Sequence, residues 1–412
     1  MHVVHRQCCG LDIHKKTVVA CVLVTQEDGS VQRTVRTFGT MTGELLALAD
    51  WLDTHGITHI AMESTGVYWC PIFNVLEDEA RTVVLVNPQH VAQVPGRKTD
   101  VRDSEWLADL LRHGLLRASF IPPVPVRELR EFLRYRKTLV QERAQEVNRL
   151  QKLLEGANIK LAAVATDVLG LSGRDMLHAL IAGEQDPEVL ADLARGKLRS
   201  KLPVLRQALQ GRVKPYHLSL LMRILAHIEF LEESLTQLQQ DIEQHLAPFA
   251  DAVTLLQDIP GVGPVAAETI VAEIGIDMSR FPSAKHLASW AGVCPGNKQS
   301  GGKRLSGAAT KGNPWLRAVL GEVATAISRS RNNYLSAQFH RIARRRGKHK
   351  AILAVAHSVL RLVYYMLRDH QPYSDLGADY FDKLDSARLE RHHVRRLERL
   401  GYTVTLTPKE AA

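Results

Sequence analysis

The hydrophobic period of this chain changes near Pro88, and that change restricts the fold more than any other feature. From Cys8 to about Asn87, short β-branched runs (TVVACVLV, VQRTVRTFG, THIAME and RTVVLVN) are separated by turn residues and one helical stretch, GELLALADWLDTHG. Runs of this length and composition read as strands. Residues 1–121 are therefore predicted to form an α/β domain that begins with a hairpin. After Pro88 the pattern turns helical: EWLADLLRHGLL places Trp106, Leu107, Leu110 and Leu111 on one face, ahead of the breaker Ile121-Pro122-Pro123.

Beyond that breaker, VRELREFLRYRKTLVQERAQEVNRLQKLLEGANIKL runs far without interruption, with Leu129, Leu133, Leu139, Val147, Leu150 and Leu154 as its apolar seam. A second long helix is expected from roughly Leu218 to His245, through Ile228, Leu231, Leu235, Leu238 and Ile242. Such Arg-rich amphipathic helices read as coiled-coil arms, joined by a helical insert over 122–250. The seam does not choose between pairing within one chain and pairing between subunits. A Gly-rich, mostly helical unit follows over 251–345, and then, over 346–412, a helix from about Ala351 to Arg368 and a charged tail. The class is thus α/β plus all-α.

The 412 residues carry a formal charge of +9, which favours an acidic partner such as nucleic acid over a membrane. Five cysteines, odd in number and without a CxxC pair, suggest neither a disulfide framework nor a zinc ribbon but buried thiols in a reducing cytosol. The N-terminus MHVVHRQCC has no apolar signal core. The stretch AILAVAHSVLRLVYYML carries His357 and Arg361 and is too short to span a bilayer comfortably. A cytoplasmic, nucleoid-associated protein is expected.

Four carboxylates stand out in the first quarter. Asp12 lies in a strand pattern, Glu63 ends the apolar run ITHIAME, and KTDVRD presents Asp100 and Asp103 at i, i+3 before a helix. Burying an ionised carboxylate is costly unless it is paired or bound to a cation. The ordinary alternatives are solvation at a sheet edge for Asp12 and Glu63, and helix capping for Asp100 and Asp103. The set as a whole, strand Asp, strand Glu and helix-borne Asp pair, follows the order of ribonuclease-H-like folds that hold two Mg²⁺ through hard oxygen ligands. Lys98 and Arg102 flank the pair and could neutralise phosphate, a solvated face being their more ordinary role.

In the Gly-rich half, LLQDIPGVGPVAAETIVAEIG reads as helix, tight turn, helix. Gly261 and Gly263 free backbone amides at a helix N-terminus for a phosphate, in the manner of a helix-hairpin-helix DNA-backbone binder. A dinucleotide fingerprint through Gly261, Gly263 and Ala266 lacks a preceding strand and βαβ unit. An interhelical turn packed on a neighbour is the plain alternative. Further on, CPGNKQSGGKRLSGAATKGNPWLRAVL surrounds Ser300 with Gly301-Gly302, Lys303, Arg304, Lys311 and Arg317 in a loop leading into a helix. A serine hydroxyl needs a base, metal or cations to act as a nucleophile. By physics alone Ser300 reads first as a turn serine or phosphate hydrogen-bonder, and Ser306 is its local rival.

These pieces together resemble the DEDD transposases of the insertion sequence 110 family, related to the Piv-type DNA invertases. GLDIHKK, AMESTGVYW and VNPQHVAQVPGRKTDVRDSEWLADLL are similar to its RuvC-like domain. IPGVGPVAAETIVAEIG, FPSAKHLASWAGVCPGNKQSGGK and TKGNPWLR are similar to its transposase domain. The resemblance implies that Asp12, Glu63, Asp100 and Asp103 bind Mg²⁺ and that Ser300 is the nucleophile, forming a phosphoserine–DNA linkage. It also implies a noncoding guide RNA pairing with donor and target duplex DNA, and a homotetramer with composite active sites. The absence of a G-x-x-x-x-G-K-[ST] motif fits a linkage that conserves bond energy. The rivals are a junction-resolving nuclease that activates water with the same carboxylates, and a non-enzymatic nucleic-acid scaffold. The insert and the tail after Pro372 are assigned no chemistry.

Overall fold

The computed structural model describes residues 2–64, 66–77, 81–87, 100–296, 298–301, 303–309, 311–384 and 386–407; for 100–102, 298–300, 304–306 and 388–389 it describes the backbone alone. Two compact units emerge, Met1–Ile121 and Pro122–Ala412.

In the first unit, β1 (Gln7–Ile13), β2 (Thr17–Thr25) and β3 (Val31–Gly39) form an antiparallel meander. After α1 (Thr42–Thr54), β4 (His59–Glu63) pairs parallel to β1. After α2 (Trp69–Leu76), β5 (Thr82–Val86) pairs parallel to β4, giving the order β3-β2-β1-β4-β5. The two-residue period of a strand splits this sheet cleanly. Cys9, Leu11 and Ile13 of β1, with Ile60 and Met62 of β4, bury against Leu45, Leu48 and Leu52 of α1 and Ile72, Phe73 and Leu76 of α2. Cys8 and Ala61 point the other way, onto Ala108 and Leu111 of α3 (Asp100–Arg112). Leu107 and Leu110 of α3 bury with Val86, and Trp106 lies only partly buried beside them.

In the second unit, α4 (Val124–Gly156) pairs antiparallel with a helix of the same chain, Pro215–Leu246. The pairing left open by the sequence is therefore intrachain. Arg143 Nη2 donates to Glu232 at 2.7 Å and Arg136 Nη1 to Gln239 at 3.2 Å, the rising and falling numbers of an antiparallel pair. Between the arms, α5 (Leu161–Val164), α6 (Leu171–Ile181), α7 (Pro187–Asp192) and α8 (Leu202–Leu209) form a separate core around Met176, Leu177, Leu180, Leu190 and Leu205, closed by Leu150 and Leu225 of the arms. Pro215–Leu246 is then α9.

The rest is α10 (Ala250–Leu256), α11 (Pro264–Ile274), α12 (Ala284–Trp290), a hairpin of β6 (Lys298–Ser300) and β7 (Lys303–Ser306), α13 (Pro314–Ile327), α14 (Tyr334–Arg346), α15 (Lys348–Asp369), α16 (Tyr380–Leu384) and α17 (Ser386–Glu398). Proline opens α11 and α13, where its missing N–H costs nothing. At 22 residues α15 is longer than the apolar run predicts, and among the described residues it is the one helix long and apolar enough to cross a membrane. Its Val355, Val359, Leu360 and Val363 are instead fully buried, and it packs on α12, α13 and α14. Burial, and not shortness, is what separates it from a membrane helix.

Candidate active site

The acidic residues of the first unit gather at one end of its sheet. Gly10 pairs with Ala61 and Leu11 with Met62 across the parallel β1–β4 ladder, so Asp12 lies one step on beside Glu63. Both belong to the strand face opposite the Leu11 and Met62 core, which is the face α3 covers. α3 runs antiparallel to β1. Its C-terminal Arg112 carbonyl accepts from Val4 and His5, its Ala108 carbonyl lies 3.5 Å from Cys8 Sγ, and its Ser104 lies over Gly10. Continuing that line, the N-terminal turn of α3, with Asp100 and Asp103, reaches the end of the strands where Asp12 and Glu63 sit.

Gly10 makes this approach possible. A Cβ there would lie 2.1 Å from the Ser104 carbonyl oxygen and 2.5 Å from Ala108 N, so any side chain would lift α3 from the sheet. Arg33 of β3 holds the helix from outside, donating to Glu105 at 2.8 Å. Asp12 is largely buried, at 18% side-chain exposure, and its Oδ2 is 3.1 Å from His14 Nε2. One oxygen of Asp103 is closed off from solvent. Oxygen donors on separate rigid elements are the donor chemistry of a hard divalent cation. Among the described residues no three ligating side chains come together, and the Asp100 side chain lies outside that description. Lys98 also lies outside the described residues, and Arg102 is described only by its place in α3.

His14 was not singled out from the sequence. Its signal was its position: two residues beyond Asp12 along the strand, the same side of the sheet recurs.

Three buried thiols lie along the same strands, Cys8 and Cys21 on the face that α3 covers and Cys9 on the opposite face. Burial pushes Cys8 and Cys21 up to about 12, and Cys9 upward as well. Thiolate is the reactive form. At pH 8 a thiol reagent is expected to label only Cys70 and Cys294 in the native protein and all five cysteines after denaturation; native labelling of Cys8 would contradict this packing. The ordinary thiol value is 9.0. Above it the unfolded chain releases protons that the folded chain keeps, so stability is expected to fall as pH rises through 9 toward 12.

In the second unit, Ser300 is not in a loop. It is the last residue of β6 and pairs with Lys303, the first of β7. Gly301, which read as freedom for a backbone, follows the strand at φ +56°, a left-handed turn conformation that suits glycine; Gly302 lies outside the described residues. The base of the hairpin is closed by Gly296 N donating to the Ala308 carbonyl at 3.1 Å. Lys303, Lys311 and Arg317 are exposed around it. Ser300, Arg304 and the rival Ser306 are described by backbone alone.

What fixes the hairpin's exit is a buried ionic hub that sequence reading missed. Glu273, 1% exposed at its side chain, accepts from Arg134 Nε and Nη2, both at 2.8 Å, and from Asn313 Nδ2 at 2.5 Å. Asn313 also caps α13 by accepting from Trp315 N and Leu316 N. Arg130 donates to the Ala272 and Glu273 carbonyls, and burial pulls its guanidinium down to about 10. One carboxylate thus joins α4, α11 and the start of α13. The legible signal was an acid inside the apolar VAEIG, with Arg130 and Arg134 four apart on a distant helix. Glu273→Ala leaves two largely buried guanidiniums uncompensated and is expected to cost about 3–5 kcal/mol in urea unfolding. A loss below about 1 kcal/mol would mean that water replaces the pair.

The turn between α10 and α11 serves packing as well as exposure. Gly261 has φ +83°, and a Cβ there would lie 2.8 Å from Ile327 Cγ1 and 3.1 Å from the Val323 carbonyl of α13. Close packing therefore accounts for Gly261 by itself. Gly263, just before Pro264, faces open space, beside an exposed Val265.

Comparison with known proteins matches two separate stretches of the chain. Residues 9–159 match the profile of the IS110-type DEDD transposases, described as a transposase, and residues 253–341 match that of the IS116/IS110/IS902 family of transposases. The chain is 26% identical to a probable family 20 transposase of Pseudomonas aeruginosa over 75% of this chain and 83% of the relative. It is 25% identical to the transposase for insertion sequence element IS1111A of Coxiella burnetii, over 70% and 72%. It is also 25% identical to the pilin gene-inverting protein of Moraxella bovis, over 88% and 96%. The first matched interval contains the four carboxylates and the second contains Gly261, Gly263 and the Ser300 hairpin.

Proposed function

Because this chain belongs to the IS110 family and is a DNA transposase, we propose that it cuts and rejoins DNA through Ser300, with Asp12, Glu63, Asp100 and Asp103 holding Mg²⁺. The observation that carries this reading is the convergence of the ends of β1, β4 and α3, which brings four acidic positions to one end of the sheet. Three antiparallel strands followed by two parallel ones, with helices on both faces, support a RuvC-like, ribonuclease-H-like core.

When bound there, Mg²⁺ would offset charge on the scissile phosphate and orient it. Ser300 Oγ then forms a bond to phosphorus as the bond to the departing sugar oxygen breaks. The proton lost from Oγ balances the one gained by the departing hydroxyl. The phosphoserine keeps the energy of the broken bond, and attack by a hydroxyl of the second DNA restores Ser300. Lys303, Arg304, Lys311 and Arg317 around the hairpin suit the phosphate charge, as do Lys98 and Arg102 beside the acidic pair. A relative named for inverting a pilin gene supports a reaction that reseals what it opens.

The exposed amide end at Gly263 supports helix-hairpin-helix contact with a DNA backbone. Family membership supports, further, a noncoding guide RNA, assembly as a tetramer, and action at the nucleoid. The RNA would meet the Arg and Lys residues of the long helices and of HRIARRRGKHK, whose binding should weaken steeply with salt. The deciding experiment is a denaturing gel of protein, Mg²⁺, element-end DNA, target DNA and RNA transcribed from the element's flanks. A slow protein–DNA adduct supports serine chemistry, and its loss without RNA supports guidance. Cleaved DNA with no adduct would mean a junction-resolving nuclease instead.

A further inference from the structure

Between Asp192 and Glu229 the chain carries eight cations, Arg195, Lys197, Arg199, Lys201, Arg206, Arg212, Lys214 and Arg223, and no acidic residue. This run lies in the insert and the first turns of α9, outside both intervals matched by the family profiles. Charged surfaces ordinarily intersperse the two signs, because an unbroken run of one sign repels itself. Among the described residues, the neighbouring acids pair with only two of its eight cations, Arg195 and Arg206. Asp186 caps α7 by accepting from Glu188 N, Glu184 accepts from Asp186 N, and Asp167 accepts from Leu169 N. Asp175 is taken by Arg195 at 2.6 Å, and Asp192 stands 3.8 Å from Arg206.

Packing brings much of the run to the tip of the arms. Arg212 N donates to the Ala157 carbonyl at 2.7 Å, Lys160 N to the Ala208 carbonyl at 2.7 Å, and Lys201 Nζ to the Val164 carbonyl at 3.0 Å. Segments 157–164 and 201–212 therefore lie side by side, where α4 ends and α9 begins. Lys197, Arg212, Lys214 and Arg223 are exposed and have no carboxylate partner among the described residues. Between Asp192 and Glu229 the one Phe, Trp or Tyr is Tyr216, which is exposed, so the surface offers many charges and a single ring in place of the row of aromatic platforms on which single-strand binders stack successive bases.

We propose that the insert is a second, sequence-independent binding surface for the phosphate backbone of duplex DNA, placed at the tip of the helical arms. It rests on the reading that this chain acts on DNA and adds a contact remote in sequence from the acidic residues and Ser300. Each cation that neutralises a phosphate releases counterions, at a slope of about 0.9 per contact in log K against log salt.

The test uses the full-length protein without Mg²⁺ and duplex DNA of unrelated sequence, with affinity read by fluorescence anisotropy across a salt series. Combining Lys197→Gln, Arg212→Gln, Lys214→Gln and Arg223→Gln is expected to lower the slope by about 3 to 4. Adduct formation on element-end DNA at low salt and saturating protein should be retained by the same set without Arg223→Gln, which alone of the four lies within a long helix. The charge-preserving set Lys197→Arg, Arg212→Lys, Lys214→Arg and Arg223→Lys should keep the wild-type slope. A slope on duplex DNA within about one of wild type for the Gln set overturns the proposal. So does a loss that the charge-preserving set shares, or a change confined to RNA. Because the slope is read without catalysis, failure of the serine chemistry would leave this comparison standing, and an unchanged slope with a normal adduct would reject the insert surface alone.

Discussion

Replacing Ser300 with alanine is expected to abolish the covalent protein–DNA adduct completely while leaving DNA affinity within a few-fold of wild type. The change removes one oxygen at the end of β6, where Ser300 pairs with Lys303 through its backbone, so the hairpin has no reason to unfold. Exchange should disappear with the adduct, because without a serine ester no bond energy is stored for resealing. Ser306 stands on the opposing strand, and Ser306→Ala serves as the internal comparison: it should retain the adduct. If Ser300→Ala still cleaves DNA at the wild-type rate, water is the nucleophile and Ser300 only binds phosphate. If Ser306→Ala loses the adduct and Ser300→Ala keeps it, the assignment moves six positions along the chain to the rival serine at the end of β7.

The second large effect is expected at Asp12. Asp12→Asn keeps the shape and the contact with His14 but removes a negative charge from a largely buried position. Loss of a partner that merely orients a metal ligand costs roughly 10–100-fold in affinity or activity, and loss of a direct ligand should exceed that. Cleavage and adduct formation should both fall by more than about a hundredfold, with partial recovery as Mg²⁺ or Mn²⁺ is raised, and with the melting temperature unchanged or higher. Recovery with metal separates this role from a structural one, which added cation would not repair. A variant combining Asp12→Asn with Asp103→Asn that performs every DNA transaction normally would leave only the scaffold reading.

The two halves of the candidate site were legible to different degrees. Asp12 and Glu63 stood out because acids inside apolar β-branched runs are expensive. Asp100 and Asp103 stood out only as members of a set, since helix starts attract acids without any chemistry. Ser300 could not be singled out by physics. Its neighbours Gly301 and Gly302 read as a loop, and the short pairing of β6 with β7 lies in a stretch where strand-forming residues are nearly absent. Gly261 read as an amide donor for phosphate, yet its backbone angle and the nearness of α13 account for it without any ligand. Helix α15 was judged by the length of its apolar run, and it is longer than that run and buried on one face.

Local periodicity by itself determined the mixed α/β beginning and the helical remainder, including both long arms, because each pattern is decided within a dozen neighbouring residues. Tertiary structure alone decided that the arms pair with each other in one chain, since a seam of Leu and Ile fits either partner equally well. It alone decided that Gly10 lets α3 settle on β1 and so carry Asp100 and Asp103 toward Asp12 and Glu63. It alone joined Arg134, Glu273 and Asn313 into one hub. These are contacts between residues far apart in the chain, and their energies depend on distances that no local pattern encodes.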